Sequence, residues 1–232
     1  IMAFAADSDE DYQRVLGMWL PLNYVEQERN IIHHFRPRFD QWFAQQLPEL
    51  NEFVAQAKAL SKKVDLDGML TQMRSFYRSE IPEHLVLPVY LIAHPKKSAA
   101  TSGLVFNQNS LIEVLKGEQA KDRLGVVVHE IAHFYHSRAS LGWHQKVMSY
   151  FTSAESNVGK VGYYLYNESL AAAIGNGLFE SKAKEAAYYE KYLAYPMSFY
   201  ADEGIDLAAK AGLTLIEKRL ESNQAIDEQF LA

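Results

Sequence analysis

The chain of 232 residues contains no cysteine. That excludes disulfides, thiol nucleophiles and cysteine-bound metal, and leaves histidine, aspartate and glutamate as the side chains able to hold an ion. Long apolar runs are missing as well, since no stretch approaches the roughly 18–20 residues that a membrane-spanning helix requires. Basic clusters are equally scarce in a chain of net charge -6. Its basic runs are pairs such as Lys62-Lys63 and Lys96-Lys97, so nucleic acid is not an expected partner. Hydrophobic residues at 48% and charged residues at 22% are ordinary globular values, which removes the disordered, collagenous and coiled-coil classes.

What is present first is helical periodicity. Phe43, Leu47, Leu50, Phe53, Val54 and Ala57 recur at three and four, and they predict a helical N-terminal layer over about 9–80. Pro21, Pro37 and Pro48 are expected to divide it into several helices of moderate length. The character changes at Ile81-Pro82, where 85–92 reads as a strand ended by His94-Pro95, with Pro88 marking an edge or bulge. Leu104-Val105-Phe106 and Leu111 to Leu115 read as a hairpin joined by Asn107-Gln108-Asn109-Ser110. Residues 118–138 read as a helix interrupted only by Gly125, with Leu124, Val127, Val128, Ile131 and Ala132 on its buried side. Residues 139–160 read as polar and irregular in places, anchored by Trp143 and Phe151. An alanine-rich helix over 161–174 should end near Gly175-Asn176-Gly177, and two further helices are expected at about 181–193 and 204–221.

The expected fold is therefore α+β and mainly helical, one domain over 1–232. It has the helical layer (about 9–80) and a core (about 81–222) in which a small sheet lies beside the helix of 118–138. Ala3-Phe4-Ala5 followed by polar Ala6 to Glu10 fits the tail of a cleaved export signal, and fits an ordinary terminal arm equally well. The protein is accordingly expected either outside the cytoplasm, periplasmic or secreted, or within it.

Inside the helix of 118–138 the chain reads His129-Glu130-Ile131-Ala132-His133. Residues four apart on a helix share a face, so the two imidazoles can address one ion. Glu130, rotated about 100° from His129, can approach a water at that ion without being a ligand, which is where a general base belongs. Zinc is the expected ion, one per chain, because it lowers the pKa of water to about 7 and polarises a carbonyl. Random placement of residues in this composition gives the pattern roughly 2% of the time, so its context has to support it. The context is the apolar Val126-Val127-Val128 before it and a third ligand after it. Glu168, in Tyr166-Asn167-Glu168-Ser169-Leu170-Ala171-Ala172-Ala173, is the first candidate, because Ala171 and Ala172 would let its helix pack closely. Glu155 is nearer in sequence but sits in Ser153 to Asn157, which reads as a loop or helix start. His136 and His144 also compete. Three ligands from one straight helix do not surround an ion tetrahedrally, so His136 is expected at the rim or behind the ligands. His33, His34 and His94 are expected to be structural or exposed.

Over about 103–175 the chain resembles the gluzincins, the thermolysin-like zinc peptidases, whose third ligand is a glutamate in an Asn-Glu-containing helix after the His-Glu-x-x-His helix. The resemblance implies a zincin-like core, zinc on His129, His133 and Glu168, and Glu130 as general base and acid. It also implies that Leu104 to Leu115 supplies the edge strand along which an extended peptide pairs. Glu168 lies farther beyond His133 than in thermolysin, so 139–160 should be an insertion. The metzincin pattern requires a glycine where this chain has His136 and a histidine where it has Ala139, which excludes that family. An oxyanion donor is also needed, and Tyr195 and Tyr200, flanking Pro196, are the candidates. The expected function is zinc-dependent cleavage of a peptide or protein substrate. Two alternatives stay open. One is a zinc-binding interaction protein that cleaves nothing, against which an uncoordinated Glu130 argues; the other is a zinc hydrolase of a non-peptide amide or ester.

Overall fold

Pro21 breaks the helical layer as its chemistry predicts, whereas Pro37 and Pro48 do not. In the computed structural model, which describes residues 8–82, 84–96, 103–106, 109–152 and 158–231, α1 (Asp9–Gly17) stops before Pro21 and α2 (Leu22–Lys63) starts after it. Helix α2 then continues through Pro37 and Pro48. Each proline deprives the carbonyl four residues back, on His33 and on Ala44, of its helical donor. All four positions are exposed, so water can satisfy those carbonyls and the helix survives.

The chain divides into two compact units, 1–52 and 53–232. In the first, Ser8 caps α1 by accepting from the Asp11 amide at 3.1 Å. Tyr12 donates to Glu28 at 3.5 Å, and Leu16 and Val25 are buried.

The second unit holds the α+β part of a chain that is mainly helical. Val64 ends the run of α2, and Asp65, in the left-handed region, caps α3 (Leu66–Phe76) through the Gly68 amide. Among the described residues there is one sheet, of β1 (Val89–His94), β2 (Gly103–Phe106) and β3 (Asn109–Leu115), in the order β1-β3-β2. Strand β1 is parallel to β3 and β2 antiparallel to it. The first strand begins at Val89 rather than Leu85; Pro88 has no N–H to give a ladder, although its carbonyl accepts from Ser110 at 2.9 Å. Asn109 and Ser110 belong to β3, with Phe106 opposite Asn109, so the hairpin connection shortens to 107–108, which lies outside the described residues. Because β3 is central, the edge expected over Leu104 to Leu115 reduces to β2. Alternation along β3 buries Ser110, Ile112 and Val114, as a half-buried strand requires.

The remainder is helical: α4 (Leu124–Ser137), α5 (Leu141–Thr152), α6 (Val158–Ala172), a π-helical segment (Ala173–Phe179), α7 (Glu180–Ala183), α8 (Ala186–Ala194), α9 (Glu203–Glu221) and α10 (Glu228–Leu231). Residues 118–123 are not part of α4. The Glu118 carboxylate accepts from the Leu115 amide at 2.9 Å and from Arg123 at 2.6 Å, which fixes a turn there. The stretch expected to be irregular forms α5, because Trp143 and Val147, one turn apart, are both buried. The helix expected over 181–193 is broken where Lys184 turns extended between α7 and α8. No helix among the described residues is long and apolar enough to cross a membrane.

Candidate metal centre

Helix α4 is buried almost all round, at Leu124, Val127, Val128, Ile131, Ala132 and Phe134, so its two motif histidines are carried on a rod held from several sides. Its closest neighbour is the π-helical segment. A Cβ on Gly175 would lie 2.4 Å from the Gly125 carbonyl oxygen and 2.6 Å from the His129 nitrogen. The Gly175-Asn176-Gly177 stretch, expected to stop a helix, therefore continues one with a widened turn and gives the backbone-to-backbone contact that seats it on α4. Ala171, Ala172 and Ala173 are fully buried just before it. That packing brings Glu168, on α6, to the face of α4 that presents the histidines.

His129 Nε2 and His133 Nε2 lie 3.0 Å apart, and Glu168 Oε2 lies 3.6 Å from the first and 3.5 Å from the second. Tetrahedral zinc with bonds of about 2.0–2.1 Å requires ligand atoms about 3.3–3.4 Å from one another. The three separations bracket that value, so His129, His133 and Glu168 form a group that could hold a metal ion. The donor set has the same sense, two imidazoles and one carboxylate. Long hydrogen-bonding contacts from His129 and His133 hold the Glu168 carboxyl well below the usual carboxylate range, so its charge is always present near neutral pH. Burial pulls His133 downward, but the Glu168 carboxylate outweighs it and the imidazole is raised. The His133 ring also hydrogen-bonds the Asn167 side chain, a support that fixes ring orientation.

Glu130 stands outside this ligand group and lines the same cleft, of about 730 Å³, as His133 and Glu168. Burial raises its carboxyl above the ordinary value, against the pull of His129 and His133. The Val105 N–H, on strand β2, donates to it. The same strand leaves room for it: a Cβ on Gly103 would meet Glu130 Cγ at 2.8 Å and Oε1 at 2.9 Å.

No protein-family model, curated protein or solved structure matches the chain. What the centre can do is therefore read from its own geometry.

Of the two tyrosines picked from the sequence, the structure brings only Tyr200 to the centre. Its ring stacks on His129, with centroids 5.9 Å apart and planes at 19°. Its hydroxyl hydrogen-bonds Glu168 and Tyr164, and burial with the Glu168 charge raises it. The loop that carries Tyr200 is pinned from three sides. Buried Asp206 accepts from the Phe199 amide at 2.8 Å and the Met197 amide at 3.1 Å. Tyr192 donates to the Ser198 carbonyl at 2.5 Å, and the Asn176 side chain donates to the Phe199 carbonyl. Tyr195 is 70% exposed, and its carbonyl is tied to Lys210; the chain leaves α8 there with its side chain in solvent.

His136 is buried behind the ligands among Tyr77, His144, Tyr163 and Tyr166. Burial, then His144 and His133, pushes its imidazole down to about 4. His94 accepts from the Lys96 amide, and His33 and His34 are exposed on α2. Glu155, like Ala3-Phe4-Ala5, lies outside the described residues. The sequence reading gave no role to Asn167, Tyr164, Gly103 or Asp206. Only Asn167 carried a signal, as the neighbour of Glu168.

Proposed function

We propose that the chain is a zinc-dependent peptidase of the gluzincin type, with a zincin-like core made of α4, α6 and the sheet beside them. The observation that carries this reading is the convergence of His129, His133 and Glu168 with Glu130 beside them and uncoordinated. A purely structural metal site has no use for that fourth group. A zinc ion held by the three ligands supplies Lewis acidity, making water acidic near neutral pH and polarising a carbonyl. Glu130 removes the proton from the attacking water and delivers it to the leaving amine, a two-way transfer that a carboxylate can make and an amide cannot. Tyr200, whose ring stacks on His129, is the phenol assigned to the developing oxyanion. Strand β2, an edge of the sheet among the described residues, lines the cleft with Leu104 and Val105 and is the edge along which an extended substrate lies.

The test is metal analysis of the purified protein combined with a peptide library. About one zinc per chain is expected, with cleavage that stops on chelation and returns when zinc is restored. Zinc without cleavage of any peptide would favour a binding protein; the absence of any bound metal would overturn the reading altogether.

Strand β2 gives a more specific expectation. Gly103→Ala places its Cβ in the space that the Glu130 side chain occupies. The carboxylate must swing away, and a base displaced by about 1 Å loses on the order of tenfold to hundredfold in kcat. Metal content should stay at the parent level, since the three ligands do not touch Gly103 in this arrangement. Steady-state kinetics with metal analysis checks both halves, and a parental kcat would show that β2 does not hold the base.

A further inference from the structure

The cleft that contains Glu130, His133 and Glu168 continues along α4 to His136, Arg138 and His144. Arg138 ends the helix five residues beyond His133, about 7–8 Å along its axis at 1.5 Å per residue. Charge is distributed unevenly along this cleft. Its two carboxylates, Glu130 and Glu168, belong to the metal centre, whereas the part lined by Arg138, His136 and His144 contains none. The Arg138 guanidinium lies over the Phe134 ring, 5.6 Å from its centroid, and no carboxylate pairs with it among the described residues. The ring of His144 meets His136 edge-on at 5.3 Å. His136, only 4% exposed, has a buried Nε2 without a hydrogen-bond partner. Arg138, exposed at the end of α4 with its charge on an aromatic ring, and the buried His136, whose Nε2 is orphaned, line the same stretch of cleft, a combination that suits an anionic planar group.

We propose that this end of the cleft binds a carboxylate of the substrate, with Arg138 as its main contact, so that the preferred peptide carries a carboxylate within about two or three residues of the cleaved bond. The reach follows from the 7–8 Å offset and a rise of about 3.3 Å per extended residue. The carboxylate can come from an Asp or Glu side chain or from a free C-terminus, which share this chemistry. The inference rests on the peptidase reading for its substrate class, although the binding site itself does not require hydrolysis.

The experiment uses zinc-loaded protein and peptides that differ only in Glu against Gln at each of three positions on either side of one bond, each made with a free and an amidated C-terminus. A carboxylate at the matching position is expected to raise kcat/KM by about tenfold to hundredfold. Preference for the free acid over the amide assigns the C-terminal carboxylate; preference for Glu in amidated peptides assigns the side chain. Arg138→Gln should bring the acidic-to-neutral ratio close to one, while Arg138→Lys, which keeps the charge but not the fork, should retain part of it. Binding of the same peptides to zinc-loaded Glu130→Gln protein, measured calorimetrically with and without Arg138→Gln, gives a readout independent of turnover. There the acidic peptide alone should lose affinity. A carboxylate held by the metal would be indifferent to Arg138, so a preference that survives Arg138→Gln overturns the proposal, as does equal treatment of acidic and neutral peptides by the parent. Binding preference without cleavage of any peptide would defeat the peptidase reading and leave the carboxylate site standing.

Discussion

Glu130→Gln is expected to keep metal at the parent level and to lose hydrolysis by about 10²–10⁴-fold. The substitution preserves shape, and an amide oxygen can still accept from the Val105 N–H that now holds the carboxylate. What disappears is basicity, because an amide takes no proton near neutral pH. Glu168→Ala should behave in the opposite way and lose metal and activity together, since it removes one of three ligand atoms and leaves two imidazoles facing one another across 3.0 Å. Comparing metal content and turnover in the two variants separates holding the ion from using it. Full activity in Glu130→Gln would remove the proposed base, and metal retained by Glu168→Ala would remove the third ligand.

The part of this centre that was legible in the sequence is the part that helix geometry fixes locally. His129 and His133 had to share a face once 118–138 was read as a helix, and the structure shows their nitrogens meeting. Glu168 was legible less directly, through the small residues that follow it; these are buried as close packing requires. Corrections fall where the outcome depends on surroundings that the local pattern does not contain. Pro37 and Pro48 were read as breaks, but their exposed positions let water replace the lost hydrogen bonds. The stretch after Ala139 looked irregular because polar residues dominate it, yet burial of Trp143 and Val147 on one side is enough to fold α5.

Tyr200 and Tyr195 make the same point at the scale of the site. Five residues apart in sequence, both follow the end of α8 and flank Pro196, and nothing in the local pattern ranks them. The decision is made by distant partners. Asp206 on α9 and Asn176 on the π-helical segment hold the backbone around Phe199, so the next side chain stacks on His129. Tyr195, held only through its carbonyl to Lys210, is left in solvent.

Gly175→Ala is expected to destabilise the second unit at the contact that seats the π-helical segment on α4. Its Cβ would lie 2.4 Å from the Gly125 oxygen, 2.6 Å from the His129 nitrogen and 2.8 Å from the His129 Cα, against 3.4–4 Å for ordinary contact. All three atoms are backbone, so no rotamer change relieves the overlap and the π-helical segment must move off α4. Overpacking of this kind costs about 1–3 kcal/mol and more when backbone must shift. For a chain of this size 3 kcal/mol lowers Tm by about 6–12 °C. Gly142→Ala is the matched control: it also lies in a helix, nothing stands within 4 Å of its Cβ, and it should gain roughly 0.4–1 kcal/mol from helix propensity and unfolded-state entropy. Melting both variants without metal isolates packing, because a bound ion would add its own stabilisation to the folded state. With zinc restored, Gly175→Ala should also hold it more weakly, since the overlap falls on the backbone of a ligand. Melting at the parental temperature would mean that the glycine contact does not seat the two helices, and the account of how Glu168 reaches the histidines would fall with it.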